Sequence, residues 1–190
     1  MRWSVVPLVV LVGLAGCTQA PVRPALAHLG QSADEPFVLN GRMAVRHARE
    51  SSSVGLHWEH ARDRDEMTLL APLGQTVARI SRSPEGAELQ TGDKRYQAAD
   101  LESLMEKVLG WHLPLAELHA WVRGLPYPGA PAGVERNELG QIVTLRQDGW
   151  EITYGKFAGT AADSPPGRLT MTFEDMRLQL VVDEWLEGAP

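Results

Sequence analysis

Residues 168–182 have the sequence RLTMTFEDMRLQLVV, in which apolar and polar side chains alternate on both sides of an acidic turn. A period of two places one set of side chains on a buried face and the other set in solvent, as in half-buried antiparallel strands. The apolar positions are Leu169, Met171 and Phe173, followed by Leu178, Leu180 and Val182. We therefore predict a β-hairpin with strands over 168–174 and 177–182.

The same alternation occurs earlier in the chain, in two separate blocks. The first block predicts strands near residues 37–46, 54–58, 67–71, 76–81 and 88–91. The second block predicts strands over 141–146 and 150–157, which Gln147-Asp148-Gly149 joins as a tight hairpin. Residues 127–133 are rich in Pro and Gly and are predicted to form a loop.

Between the strand blocks, the apolar period lengthens to that of an amphipathic helix. Asp100 can cap a first helix and Gly110 can end it, and a second helix follows Pro114 and ends near Gly124. Their apolar sides are Leu101, Leu104, Met105, Val108 and Leu109, and then Leu115, Leu118, Trp121 and Val122. This order predicts an α+β fold that is mainly β, with one strongly curved antiparallel sheet whose concave face the helices cover.

The N-terminus predicts export. Arg2 precedes an apolar run from Trp3 to Gly16, which is the layout of a secretory signal. As a helix the run reaches about 21 Å, which is too short to span a bilayer core. Leu14-Ala15-Gly16-Cys17 resembles the bacterial lipobox, so we expect residues 1–16 to be cleaved and Cys17 to be lipidated. The alternative is an ordinary signal with a chance cysteine. Cys17 is the only cysteine, so no disulfide forms.

The next segment is expected to be a lipidated tether over residues 17–36, because its Ala, Pro and Gln residues show no periodicity. Thr18 directly after the lipidated cysteine favours sorting to the outer membrane. The formal charge is −6, and about −7 once Arg2 is removed. This mild acidity disfavours nucleic acid as a partner, and nothing indicates more than a monomer.

Residues with catalytic or metal-binding chemistry are sparse. There is no nucleophile elbow, phosphate loop or zinc-protease motif, so we expect neither an enzyme nor a metal or other cofactor. His57 and His60 are predicted to point to opposite faces of a strand, as surface histidines. The acidic run at residues 63–66 is predicted to be a solvated turn. His112 and His119 flank the second helix without a third ligand nearby.

One predicted turn has an unusual residue. Ala71-Pro72-Leu73-Gly74 suits a type I turn, but its third position carries leucine where a polar residue is more usual. Either Leu73 folds back onto the core, or it offers an apolar tip to a lipid or a partner.

Several segments together resemble one known family, the outer-membrane lipoprotein receptor LolB. They span residues 37–185 in the family's order and cover 41–45, 69–74, 109–114, 121–126, 150–154 and 168–185. The resemblance implies an incomplete antiparallel β-barrel with a helical plug over an apolar cavity, formed by a lipid-binding domain over 37–187. Residues 127–133 and 163–167 depart from the pattern of some relatives.

The resemblance also implies a function. LolB-like proteins accept lipoproteins from the periplasmic carrier LolA and insert them into the inner leaflet of the outer membrane. The turn Pro72-Leu73-Gly74 would be the membrane-insertion loop, with Leu73 at its tip. The protein would be anchored in the outer membrane through Cys17 and would face the periplasm. Rival functions are an adaptor of an outer-membrane assembly machine that transfers no lipid, and a lipid-modifying enzyme, for which no nucleophile with a paired base is apparent.

Acyl chains of client lipoproteins would lie against the apolar faces of the strands and helices. A plain packed core is the alternative for each of these residues, and methionine suits an adaptable lining because it repacks easily. The candidate cavity residues are Met43, Val45, Leu56, Trp58, Leu69, Leu104, Met105, Leu118, Trp121, Ile152, Tyr154, Leu169 and Met171.

Overall fold

The structure is a computed structural model that describes residues 32, 35–110 and 114–187. The expected signal peptide, Cys17, most of the expected tether and His112 lie outside these residues. Among the described residues, no helix is long and apolar enough to cross a membrane.

The described residues form eleven strands in a single sheet, and every neighbouring pair is antiparallel. The strands follow one another in space in the order β6-β5-β4-β3-β2-β1-β11-β10-β9-β8-β7. Their bounds are β1 Phe37–His47, β2 Glu50–Ala61, β3 Arg64–Leu70, β4 Thr76–Ser83, β5 Gly86–Thr91, β6 Lys94–Ala98, β7 Ala132–Arg136, β8 Ile142–Gln147, β9 Trp150–Phe157, β10 Pro166–Phe173 and β11 Met176–Glu187.

The first and last strands of the domain, β1 and β11, lie side by side at the middle of this sheet. β1 pairs with β2 on one side and with β11 on the other, which brings the two ends of the domain together. The edge strands β6 and β7 do not pair with each other among the described residues, so the curled sheet stays open. This arrangement confirms the predicted mainly β fold and its curved antiparallel sheet.

A bulge between Asn40 and Gly41 adds to the curvature of the sheet at its centre. A Cβ at Gly41 would lie 2.5 Å from the carbonyl oxygen of Val181, so only glycine allows the two strands to approach so closely here.

Two helices connect the strand blocks, as predicted. α1 spans Leu101–Leu109; the side chain of Asp100 accepts a hydrogen bond from Ser103 N at 2.7 Å, and Gly110 ends the helix at φ 75°. α2 spans Leu115–Trp121, and Pro114 is its N-cap, one residue before the first turn in which it was expected. α1 packs on β5 and β6, which places both helices over the interior of the sheet.

Two strands were not predicted, and both are edges. β6 (KRYQA) and β7 (AGVER) are mostly exposed, so neither carries the apolar alternation that marks a half-buried strand. The predicted loop over 127–133 is wrong at its end, because Ala132 and Gly133 belong to β7. These strands form because the neighbouring strands offer backbone N–H and C=O groups for pairing. That stabilisation comes from tertiary structure and leaves no pattern in the local sequence.

Candidate functional site

An apolar cavity of about 50 Å³ lies between the concave face of the sheet and the helices. β1 to β4 line one side of it, β10 and β11 the other, and α1 and α2 cover it. Its walls are Met43, Leu56, Trp58, Met67, Leu69, Ile80, Met105, Leu118, Val122, Met171, Leu178 and Leu180.

Seven of the predicted acyl-chain residues meet at this cavity: Met43, Leu56, Trp58, Leu69, Met105, Leu118 and Met171. The other six pack elsewhere in the apolar interior: Val45, Leu104, Trp121, Ile152, Tyr154 and Leu169. Sequence reasoning did not select five further wall residues, namely Met67, Ile80, Val122, Leu178 and Leu180. Their apolar periodicity was visible, but periodicity does not distinguish a cavity wall from a packed core.

The size of the cavity limits what it can hold. Pockets for small molecules usually measure about 300–1,000 Å³, so a volume near 50 Å³ holds only a few methylene groups. Four of its walls are methionines, Met43, Met67, Met105 and Met171, and these side chains change shape at little cost. A long apolar ligand would therefore enter only if these side chains and the covering helices move.

A buried polar cluster lies at one wall of the cavity. The indole Nε1 of Trp58 donates to Asp65 Oδ1 at 2.8 Å, and Arg82 Nε donates to Asp65 Oδ2 at 2.5 Å. His60 Nδ1 lies 2.7 Å from the same Oδ1. Asp65 is 3% exposed, so the expectation of a solvated turn is wrong at this position: β3 begins at Arg64 and turns the carboxylate inward.

The environment of Asp65 acts on its acidity in two directions. Burial raises the pKa of the carboxyl group, whereas the hydrogen bonds from His60 and Trp58 and the positive charge of Arg82 lower it, and the net pKa lies below the ordinary value. The carboxylate is therefore charged at neutral pH, and its three partners compensate for its burial.

His60 is also buried, which corrects the expectation of a surface histidine. His57 does point to the opposite face, where it contacts Asn40 and Glu59. The ring of His60 stacks on that of His119 in α2, with centroids 4.7 Å apart and planes 11° apart. This contact connects α2 to the polar cluster of the sheet.

A second polar contact connects α2 to the other half of the sheet. Gln147 is 2% exposed, and its Oε1 accepts hydrogen bonds from Trp121 Nε1 and Tyr127 N, both at 2.9 Å. Its Nε2 donates to the carbonyl oxygens of Tyr127 at 2.7 Å and Ala130 at 2.9 Å. Polar side chains from two parts of the sheet, His60 of β2 and Gln147 of β8, thus both contact α2.

Tyr154 is the buried polar side chain of β9. Burial raises the pKa of its phenol above the ordinary value of 10.0, so it stays neutral at neutral pH. Its hydroxyl group has no hydrogen-bond partner within the part of the chain that the structure describes.

The turn between β3 and β4 presents Leu73 to solvent. Gly74 N donates to Ala71 O and Ala71 N donates to Gln75 O, both at 2.8 Å, and Gly74 has φ 85°. The side chain of Leu73 is 86% exposed, so it does not fold back onto the core. Pro72 and Gly74 are exposed on either side of it.

Over residues 35–110 and 114–187, no three His, Cys, Asp or Glu side chains come close enough together to hold a metal ion.

Known proteins resemble this chain along most of its length. The family described as "Outer membrane lipoprotein LolB" matches residues 35–185. "Outer-membrane lipoprotein LolB" from Nitrosomonas europaea is 37% identical over 193 residues, covering 96% of this chain and 91% of that protein. The protein of the same name from Chromobacterium violaceum is 39% identical over 173 residues, covering 90% of this chain and 92% of that protein.

Among solved structures, a LolA superfamily protein from Nitrosomonas europaea aligns with a TM-score of 0.49 and 8% identity, covering 83% of this chain and 88% of that one. The family match and the two relatives extend over the whole curled sheet, both helices and the Leu73 turn. This chain therefore belongs to the LolB family of outer-membrane lipoproteins, which act in lipoprotein localisation.

Proposed function

We propose that this protein accepts lipoproteins from the periplasmic carrier LolA and inserts them into the inner leaflet of the outer membrane. The observation that carries the proposal is the apolar cavity covered by two helices, in a domain that also presents an exposed leucine on a tight turn. The reaction is a transfer between binding sites, and it involves no covalent step, metal or cofactor.

The energetics of acyl chains explain why such a receptor is needed. A lipoprotein with three acyl chains carries on the order of 45 methylene groups, each of which favours an apolar environment by about 0.8 kcal/mol. Free passage through water would therefore cost roughly 35 kcal/mol, which thermal motion does not supply. Transfer from one apolar cavity to another keeps the chains dry throughout.

The cavity provides the receiving site once its cover moves. Its walls are apolar on all sides, so an acyl chain that enters the cavity is removed from water and gains hydrophobic free energy. Met105 and Leu118 lie on the covering helices and would move with them, while Met43 and Met171 on the sheet adapt to the chain. Binding that is tighter than in the carrier and weaker than in the bilayer makes each step downhill.

Leu73 supports delivery at the membrane. Burial of a leucine side chain is worth about 1.5–3 kcal/mol, which gives a weak and reversible membrane contact. The tight turn holds the side chain outward before contact, so little conformational entropy is lost on insertion. We assign Pro72, Leu73 and Gly74 to the membrane-insertion loop.

Lipidation of Cys17 places the domain at its site of action. After cleavage of residues 1–16, the acylated cysteine anchors the protein in the outer membrane, and the segment to residue 36 lets the domain move in the periplasm. Arg123 donates to Ser32 O, so the free part of the tether would run from Cys17 to Ser32, 15 residues further on. A flexible chain of that length spans roughly 21 Å on average, which is sufficient for a monomer to meet the carrier and then return to the bilayer.

The proposal is tested with the full-length lipoprotein reconstituted in liposomes. LolA loaded with a lipidated model lipoprotein is added, and the liposomes are floated and assayed for cargo. We expect cargo to appear in liposomes that carry the receptor and to stay on LolA with liposomes that lack it. Equal cargo in both preparations, or none in either, would refute the transfer function.

A further inference from the structure

The described residues expose four large apolar side chains, and these fall into two similar pairs. Leu73 lies in a turn and Val77 in the strand that follows; Leu139 lies in a second turn and Val134 in the strand that precedes it. Leu139 is 51% exposed. Of these four side chains, the function proposed above makes use of Leu73 only.

The two turns share one backbone geometry. Residues 71–74 are APLG and residues 137–140 are NELG, with leucine third and glycine fourth in both. In the second turn Gly140 N donates to Asn137 O at 2.9 Å and Asn137 N donates to Gln141 O at 3.0 Å, as Gly74 and Ala71 do in the first. The glycines have φ 79° and 85°. The leucine side chain is thus presented from the same position of the same turn.

Polar side chains hold the second turn rigid. Asn137 Oδ1 accepts hydrogen bonds from Leu139 N and Gln141 N, each at 3.0 Å. Gln141 is 2% exposed, and its Nε2 donates to Gly159 O and Ala161 O at 2.9 and 3.0 Å, which fixes the turn to the neighbouring loop.

The two leucines lie at opposite ends of the curled sheet. β3 runs toward the turn that carries Leu73, and β7 runs toward the turn that carries Leu139. β7 lies seven antiparallel neighbours away from β3 in the sheet, so the two strands run in opposite directions. The two turns therefore lie at opposite ends of the strands. β3 has 7 residues and β8 has 6, so at about 3.4 Å per residue the tips are separated by roughly 20 Å or more.

The Leu139 end is also the end at which the N-terminal segment enters the domain. The Arg123 side chain donates to the carbonyl oxygens of Ser32 and Glu35, the latter at 3.2 Å, and contacts the Glu35 carboxylate at 3.3 Å. Arg123 and Arg136 line one surface pocket, and Arg136 donates to Gly140 O at 2.6 Å. The start of the domain is thereby held beside the Leu139 turn.

We propose that Leu139 is a second membrane contact, which inserts into the lipid surface when the receptor carries no cargo. The inference rests on the proposed lipidation of Cys17, which lies 15 residues before Ser32, the first residue that Arg123 holds. A chain of that length averages about 21 Å end to end, so the anchor keeps the Leu139 end near the bilayer. Leu73, at the opposite end of the sheet, then faces the periplasm, from which the carrier approaches. For delivery, the domain must rotate on its tether so that Leu73 faces the bilayer.

The test uses the full-length lipoprotein in phosphatidylcholine vesicles, half of whose lipids carry brominated acyl chains. Because Cys17 would be acylated on sulfur, an introduced cysteine is the only free thiol and takes an environment-sensitive fluorophore. The variants are L139C, L73C and the control D63C, whose exposed residue lies in the polar β2–β3 turn at the same end as Leu139. Without carrier, we expect lipid quenching to be several-fold stronger at position 139 than at positions 63 and 73.

Quenching at 139 no stronger than at 63, or stronger at 73 than at 139, would overturn the proposal. Quenching at 139 that appears only after LolA is added would also overturn it, because Leu139 would then contact lipid during delivery and not before the carrier arrives. The parent protein is treated with the same thiol reagent: labelling of Cys17 would show that it is not lipidated, which removes the premise itself and is a failure of the anchoring part of the proposed function.

Discussion

The indole nitrogen of Trp58 donates a 2.8 Å hydrogen bond to Asp65, which is 3% exposed. Trp58 lines the apolar cavity, so this bond fixes one wall of the candidate site to a buried charge. The same carboxylate accepts from Arg82, and His60 bonded to it stacks on His119 of α2. Asp65 therefore supports one wall of the cavity directly and, through His60, the contact between the sheet and α2.

Asp65→Ala is expected to lower the free energy of unfolding by about 3 kcal/mol, because it leaves the donors of Trp58 and Arg82 without their acceptor. Arg82 keeps partial access to solvent, which limits the loss. Urea denaturation measures the effect, and Asp63→Ala in the adjacent exposed turn is the control, expected to stay within about 0.5 kcal/mol. Equal stability of the two variants would show that the cluster contributes little.

Acid should weaken the fold through the same residue. The pKa of Asp65 in the folded protein lies below its ordinary value, because the stabilising hydrogen bonds outweigh the effect of burial. A carboxyl group whose pKa is lower in the folded state than in the unfolded state, where it is about 4, stabilises the folded state at pH values above the unfolded pKa. That stabilisation is lost as the pH falls through the folded pKa. Unfolding free energies measured between pH 7 and pH 3 should decrease less in Asp65→Ala than in the parent protein. Parallel pH profiles would contradict this assignment.

Gly41→Ala tests the bulge at the centre of the sheet. Its Cβ would lie 2.5 Å from the carbonyl oxygen of Val181, which is backbone and can move only if β1 and β11 separate. We expect a loss of about 1–3 kcal/mol in thermal or urea unfolding. Gly155→Ala is the matched control, because nothing lies within 4 Å of the added methyl group, and it should be neutral or slightly stabilising.

The sequence was sufficient to predict elements whose signal is local. The hairpin over 168–182, the Asp100 cap and the Gly110 stop of α1 were all predicted, because their periodicity and capping residues act within a few positions. β6 was not predicted, because an exposed edge strand is stabilised by hydrogen bonds to its neighbouring strand and needs no apolar face.

Burial of charge and the location of the cavity depend on tertiary contacts that no local pattern encodes. Asp65 lies in an acidic run that resembles a solvated turn, and it is buried only because Trp58, His60 and Arg82 come from other positions to meet it. Leu104 and Met105 are neighbours on one helix and almost equally buried, yet only Met105 lines the cavity. The difference is set by which strands each side chain faces.

Met43→Trp tests whether acyl chains use this cavity. Met43 is half-buried at its wall, so an indole can occupy the space without rebuilding the core. We expect the apparent Kd for a lipid with a fluorescent acyl chain to rise several-fold. Val45→Trp is the control, because Val45 lies two residues along the same strand face, is also half-buried, and does not line the cavity. If both variants bind the probe like the parent protein, the acyl chains bind elsewhere.

Leu73→Glu separates acceptance of cargo from its delivery. The side chain is 86% exposed, so the substitution should change the free energy of unfolding by less than about 0.5 kcal/mol. A carboxylate at this tip removes the 1.5–3 kcal/mol that a buried leucine would contribute in lipid, which corresponds to roughly a 10- to 100-fold loss of membrane contact. We therefore expect the variant to take cargo from LolA at the parent rate and to pass it to liposomes at least about 10-fold more slowly. Leu73→Met, which stays apolar, should deliver normally; normal delivery by Leu73→Glu as well would show that insertion proceeds through another part of the surface.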